Sequence, residues 1–177
     1  MNLYDLNTNN ITMNIDGKDI EMKPAICFDK EYDKWLVSRC GVVWSIRFNR
    51  HIKGAPTFIR RKDGSKNITA MKTFMSVPKG FWEDGSGAPG QGNTIRRNIK
   101  LHKIVMDTWA PLYDNPPEGI VWEEWEIVRR GLPSVYNHIS KTVVIDHIDD
   151  NPTNNHLNNL RRTTTWDNQD IRKSKGI

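Results

Sequence analysis

The stretch Thr142-Val-Val-Ile-Asp146-His147-Ile-Asp-Asp-Asn-Pro-Thr-Asn-Asn-His-Leu-Asn-Asn159-Leu-Arg161-Arg162-Thr-Thr-Thr-Trp-Asp-Asn168-Gln-Asp170 holds most of the chemistry that the chain displays. Its β-branched opening, residues 142–145, favours a strand, and that strand runs directly into Asp146-His147, so two titratable side chains stand at the end of a rigid element. The block from Asp149 to Asn155 is made of residues whose short polar side chains bond their own backbone, and it reads as a turn. The chain then returns through Leu157 to Arg162, and the threonines at 163–165 offer an N-cap for a helix holding Trp166, Asn168, Gln169 and Ile171. The order is strand, loop, strand, helix.

A unit of this kind suits one hard divalent ion. The carboxylate of Asp146 and the amide oxygen of Asn168 are both oxygen ligands matched to magnesium, and two protein ligands leave positions for phosphate and water. Phosphodiester hydrolysis needs an activated water and a cation against the charge that builds on the phosphate. His147, with an ordinary imidazole pKa of about 6.5, takes a proton from water near neutral pH.

These residues resemble the HNH endonucleases of the ββα-metal fold, in particular those of phages and the intron homing nucleases. The family's Asp-His at the first strand, Asn in an Asn-Leu-Arg step, and Asn or His in the helix are matched by Asp146-His147, Asn159-Leu160-Arg161 and Asn168. The resemblance implies that His147 is the general base, that Asp146 and Asn168 hold Mg2+, for which Mn2+ substitutes, and that Asn159 braces the loop that orients His147. Leu101-His102-Lys103-Ile104-Val105 is similar to the His-Arg-Leu-Val element that precedes the motif in such phage enzymes, and residues 35–46 are similar to a small DNA-binding module often fused ahead of it. The chain departs from the pattern in a long insertion between Pro111 and Ser140, and in lacking a helix-turn-helix tail after the motif.

Charge is segregated along the 177 residues, which carry 26 Lys and Arg against 21 Asp and Glu. Residues 39–79 hold ten basic side chains against the single acid Asp63, a local net of +9, whereas residues 1–38 hold seven acids against four Lys, a net of −3. Trp44, Phe48, Phe58, Ile59 and Phe74 interleave the basic run, so it belongs to a folded scaffold, and the pI of about 9.2 fits a polyanion-binding protein. Arg47, Arg50, Arg60, Arg61 and Lys62 are the expected phosphate-binding residues of that region. Arg161 and Arg162 either grip phosphate near the scissile bond or only solvate their strand.

Cys27 and Cys40 do not form a Cys-x-x-Cys pair, which argues against a zinc ribbon and a disulfide framework. With no signal-like or membrane-length apolar run, the expected location is cytoplasmic.

Asp16-Gly17 between short flanks predicts an N-terminal hairpin over residues 13–22. Alternation from Val42 to Phe48 predicts a half-buried strand, and Asp63-Gly64-Ser65 predicts a hairpin joining 57–62 to 67–74. Residues 80–93, with five Gly and one Pro, read as a flexible linker or loop and as the domain boundary. Helical spacing then predicts one helix from Leu101 to Trp109, stopped by Pro111, and a second from about Glu118 to Arg130, with Trp122 and Trp125 as packing residues. His102 is read as a packing histidine and His156 as an exposed loop residue.

The expected architecture is α+β: a basic antiparallel β region over 1–79, a Gly-rich linker or loop over 80–93 and a ββα-metal catalytic unit over 94–177. The expected function is a site-specific endonuclease acting on double-stranded DNA as a monomer and nicking one strand. A non-specific HNH nuclease and a non-cleaving, sequence-specific DNA-binding protein of the same fold are the rival readings.

Overall fold

The computed structural model describes residues 10–82, 87–90, 92–165 and 167–169. Strands β1 (Ile11–Ile15), β2 (Lys18–Cys27), β3 (Lys30–Ser38), β4 (Val43–Ser45) and β5 (Arg50–His51) form an antiparallel sheet in that order. Strands β6 (Ala55–Arg60), β7 (Lys66–Pro78), β8 (Ala88–Pro89) and β9 (Thr94–Lys100) form a second, in the order β6-β7-β9-β8. Helix α1 (Leu101–Trp109) continues directly from β9, and α2 (Trp122–Gly131) and α3 (Pro133–Thr142) make a helical hairpin. Strands β10 (Val144–His147) and β11 (Leu160–Thr163) close the fold as an antiparallel pair. The architecture is α+β, as the sequence predicts.

Turn chemistry fixes both hairpins read from the sequence. Asp16 and Gly17 take positive φ values of 52° and 79°, the conformation of a tight hairpin turn, and Ile15 pairs with Lys18 across it. At the second, the Asp63 carboxylate accepts from the backbone N–H and hydroxyl of Ser65, and Gly64 turns the chain at φ 83°.

The expected division at residues 80–93 is corrected. β7 and β9, on either side of that stretch, pair along the whole of β9, from Lys72↔Lys100 to Pro78↔Thr94, and β8 inside the stretch pairs with β9 as well, so both sides belong to one sheet. Met75 and Val77 of β7, and Ile95 and Ile99 of β9, point into the same core as Ala25, Trp35, Val37 and Val43 of the first sheet. Cutting the chain at 80–93 would expose that shared core to water. β9 was missed although Ile95 and Ile99 alternate with exposed residues at strand period.

Three further differences have local causes. The strand over 42–48 shortens to β4, because the chain turns at 46–49 with Asn49 at φ 45°, which leaves Phe48 at the surface. The helix expected from 118 starts at Trp122, and Gly131 is its last residue rather than its stop; Leu132 joins it to α3, with Pro133 at that helix's first turn. The strand expected from Thr142 begins at Val144, because the Thr142 hydroxyl bonds back to the carbonyls of His138 and Ile139 at the end of α3. Trp125 is fully buried, and its Nε1–H donates to the Tyr113 carbonyl; Trp122 is half exposed beneath the Arg129 guanidinium.

The two sheets meet on α1, whose Leu101, Ile104, Val105, Met106 and Trp109 are buried. Polar atoms lock the contact: Ile26 N–H donates to Thr108 Oγ1 at 3.0 Å, and Trp109 Nε1–H donates to the Val37 carbonyl at 3.1 Å. The 148–159 loop is fastened to the first sheet, where Leu157 N–H donates to the Arg39 carbonyl at 2.7 Å. Beside it, Gly41 has φ 83°, and a Cβ there would sit 3.1 Å from the Cβ of Asn155. Gly41→Ala therefore combines left-handed strain with a clash, a loss of about 1–2 kcal/mol. For a chain of this size that corresponds to a melting temperature lower by roughly 2–8 °C. Thermal unfolding followed by circular dichroism checks this, and an unchanged midpoint would refute the close approach.

Candidate active site

Asp146 and His147 are the last residues of β10 and are both buried. Asp146 lies opposite Arg161 in the β10–β11 register, so the pair is a cross-strand contact, with Arg161 Nε and Nη2 donating to Oδ2 at 3.2 and 3.0 Å. Arg161 also reaches Glu118 at 3.2 Å. No described residue donates to Asp146 Oδ1.

The loop between the strands is held by a lattice of amides and carboxylates. Asp149 Oδ1 accepts from Asn151 N–H and Asn159 Nδ2, and its Oδ2 accepts from Asn154 Nδ2 at 2.7 Å. These donors, the Asn154 amide first, hold the exposed Asp149 carboxyl below the usual carboxylate range. Asn159 spans the loop base: Nδ2 also donates to the Asn154 carbonyl at 2.9 Å, and Oδ1 accepts from Asp149 N–H at 3.1 Å. Its carbonyl accepts from Ile148 N–H. Asn159 is thus bonded on both sides to the segment that follows His147.

The proton state of His147 follows from its neighbour. Asn155 Nδ2 donates to the Thr153 carbonyl at 3.1 Å, which orients the amide so that Oδ1 faces His147 Nε2 at 3.3 Å. An amide oxygen only accepts, so Nε2 carries the hydrogen and the lone pair of the neutral ring is on Nδ1.

After β11, Thr164 Oγ1 accepts from Asp167 N–H at 3.1 Å and donates to the Asp167 carboxylate, a reciprocal cap that starts a helical turn at Thr165. Asn168, at 167–169, follows on that turn, and its Oδ1 is buried with no hydrogen-bond partner among the described residues. A buried carbonyl oxygen left alone costs about 1–3 kcal/mol. Trp166 and Ile171 of the predicted helix lie outside the described residues.

Asp146, His147 and Asn168 line one cleft of about 620 Å³, with His102, Lys100 and Ser140 on its other walls. The donor set fits a hard cation, since a carboxylate and an amide whose oxygen has no partner among the described residues line the same cleft. Among the described residues no group of three His, Cys, Asp or Glu is assembled for a metal, so an ion here would rely on few protein ligands.

His102, read from the sequence as a packing histidine, is buried and also lines this cleft. α1 carries it edge-on to His147, with ring centroids 5.2 Å apart and planes at 76°. The similarity of residues 101–105 to the element that precedes the motif was the available signal. Burial first, then the neighbouring His147 and Lys100, pushes its pKa down to about 3, so it is neutral at physiological pH.

The arginines divide. Arg162 corrects the phosphate-gripping expectation: it is buried, it donates to the Ala110 carbonyl, and Nη2 lies 3.5 Å from Asp107 Oδ1, so it ties β11 to the end of α1. Arg161 is engaged with Asp146. Arg60, Arg61 and Lys62 are exposed at the tip end of the β6–β7 hairpin, and Arg47 and Arg50 are exposed around Phe48. The hairpin also reaches the centre, since Ile59, Asn67, Ile68 and Thr69 share a hollow with Asp146 and His147.

No protein-family model and no curated protein matches the chain. A solved structure of DNA binding and cleavage by the HNH homing endonuclease I-HmuI aligns at 21% identity and a TM-score of 0.42, covering 80% of this chain and 53% of that one. The chain thus spans about half the length of that neighbour. At such a score the superposition carries no weight for fold or activity.

His102 gives a stability test. Below its ordinary pKa of 6.5 the unfolded chain binds a proton there that the native ring refuses until about pH 3. Stability contributed by neutral His102 is complete above that window and falls as pH drops through it, by at most about 1.4 kcal/mol per pH unit. Urea unfolding between pH 7 and 4 should show a shallower acid loss in His102→Leu than in wild type; identical slopes would mean that the native ring protonates normally. Arg162→Met, by leaving Asp107 less compensated, should cost on the order of 2 kcal/mol in the same assay; no loss would remove its structural role.

Proposed function

We propose that this chain is a metal-dependent endonuclease of the HNH, ββα-metal kind, which hydrolyses one phosphodiester bond of double-stranded DNA at a defined site and acts as a monomer. The observation that carries the reading is the convergence of Asp146, His147 and the unpartnered Asn168 Oδ1 on one cleft rimmed by Lys100. Asp146 and His147 are each held by a neighbour, but the Asn168 oxygen is buried without a partner among the described residues, which costs free energy unless a ligand occupies the hollow.

Asp146 and Asn168 would hold Mg2+, or Mn2+ in its place, and the ion would supply charge neutralisation at the phosphate. The chain's own residues do the rest. His147 takes the proton of the attacking water on Nδ1, while the Nε2–H bond to Asn155 fixes the tautomer and steadies the imidazolium that forms. Asn159 keeps the 148–159 loop, and with it Asn155, in register with the ring. Lys100 adds positive charge at the rim for the phosphate, and Arg47, Arg50, Arg60, Arg61 and Lys62 bind the flanking backbone. With one such centre per chain, one strand is cut at a time, and the nicked duplex is the product.

One observation favours the rival of a DNA-binding protein that does not cut: Arg161 already neutralises Asp146 through two N–H groups on Oδ2. In the catalytic reading Asp146 would still hold the ion, and Arg161 fixes the carboxylate plane.

Incubation of supercoiled plasmid carrying random inserts separates these readings. With Mg2+ the nicked circle should accumulate and map to discrete positions, EDTA should stop it, and His147→Ala should slow it roughly 10²-fold or more with DNA affinity retained. A smear would indicate a non-specific nuclease. Binding without any product, in wild type and His147→Ala alike, would leave the non-cleaving protein.

A further inference from the structure

The outward face of the β7–β9 pair is a polar and basic surface, opposite the face that enters the core. On β9, Thr94, Arg96, Asn98 and Lys100 point outward, while Ile95 and Ile99 point in; on β7, Phe74 and Ser76 face outward beside Met75 and Val77, which are buried. The register sets Ser76 against Arg96, Phe74 against Asn98 and Lys72 against Lys100. Neither strand contains a carboxylate. Asn98 and Lys100 line the cleft of Asp146 and His147, so one end of the face is the candidate active site.

The other end opens into a groove of about 430 Å³, where Phe48 and Phe74 stand with Arg47, Arg50 and Arg96. Phe48 is 53% exposed and Phe74 is 41% exposed, large rings for a position without a packing partner. Guanidinium carbons sit 5.3 and 5.6 Å from the Phe48 centroid (Arg47 and Arg50) and 4.7 Å from that of Phe74 (Arg96). Among the described residues no carboxylate pairs with these three arginines. An exposed aromatic ring offers a stacking surface, and arginines without acidic partners offer anion contacts; a nucleobase between two phosphates has the complementary pair of features.

We infer that this groove is a binding site for an unpaired nucleobase of a DNA strand, stacked on Phe48 and Phe74 with its flanking phosphates on Arg47, Arg50 and Arg96, and that the strand continues along β9 to the cleft. From Arg96 to Lys100 is four residues, about 14 Å at ~3.4 Å per residue. At the duplex rise of ~3.4 Å per nucleotide, which an opened strand exceeds, the stacked base lies within roughly four nucleotides of Lys100. The surface is thus suited to a duplex opened beside the reaction centre, and a fully paired duplex would offer it phosphates alone. This inference rests on the DNA-binding part of the proposed function and not on cleavage.

The test uses the full chain in EDTA, so that nothing is cut, with two fluorescent probes: short oligo(dT) and a fully paired duplex. Phe48→Ala combined with Phe74→Ala should weaken oligo(dT) binding roughly ten-fold or more, as loss of base stacking does, and change duplex binding less than about two-fold. Phe48→Trp with Phe74→Trp should restore oligo(dT) binding, and a 2-aminopurine in the oligonucleotide should lose its stacking-dependent fluorescence change in the alanine variant alone. Equal losses on both probes, or none on oligo(dT), would overturn the stacking site. Wild-type protein that binds duplex and ignores oligo(dT) would overturn the stacking site and leave the endonuclease reading intact. Protein that binds neither probe would overturn both.

Discussion

Burial of α1 on every side is the constraint from which the rest of the molecule follows. A helix of nine residues is too short to be stable alone, and this one has no side-chain cap at its start. It forms because the first sheet, the second sheet and β11 each bury a part of it, and its exposed stripe is reduced to Lys103 and Asp107, paired at 2.7 Å. Since α1 follows β9 without a loop, its position also fixes where the β7–β9 face ends. The same helix carries Thr108, Trp109 and Asp107, whose polar atoms reach Ile26, Val37 and Arg162, and it sets His102 edge-on to His147. Removing it would leave no common core between residues 25 and 160.

Order at the candidate centre comes from a second source. The 148–159 loop contains no packed apolar core of its own, and its shape is set by short amides and carboxylates that take the place of secondary structure. Such a network is stiff where every member is satisfied. Asn159, Asn154 and Asp149 satisfy one another; the Asn168 oxygen and the His102 Nδ1 are the buried polar atoms near the cleft that find nothing. The contrast between a satisfied loop and unsatisfied walls is what marks the cleft as a place for a ligand.

The distribution of charge adds direction. Basic residues that look equivalent along the chain do different work: Arg162 is a buried strut, Arg161 holds a carboxylate, and Arg47, Arg50 and Arg96 surround aromatic rings at the surface. The separation is produced by which strand face each one falls on. A solvent-facing guanidinium keeps its hydration and is available to a polyanion, whereas a buried one is retained only with its partner.

The local elements were legible where a few adjacent residues decide the conformation. Asp16-Gly17 and Asp63-Gly64-Ser65 force their turns, the β-branched run before Asp146 gives its strand, Thr164 caps the helical turn, and the alternation of Asp, Asn and Thr closes the loop after His147. Each depends on interactions within about ten residues, so neighbouring letters suffice to read them. The grouping of Asp146, His147 and Asn168 reaches beyond that range and was read from the order and spacing of the motif. What joined residues far apart was not. The union of 1–79 with 94–177 in one core, the place of His102 against His147, the burial of Arg162 and the meeting of Arg96 with Phe48 are set by β7–β9 pairing and by packing on α1. Apolar surface has no preferred partner in sequence, because the hydrophobic effect rewards any contact that excludes water; only the geometry of the assembled sheets selects which faces meet.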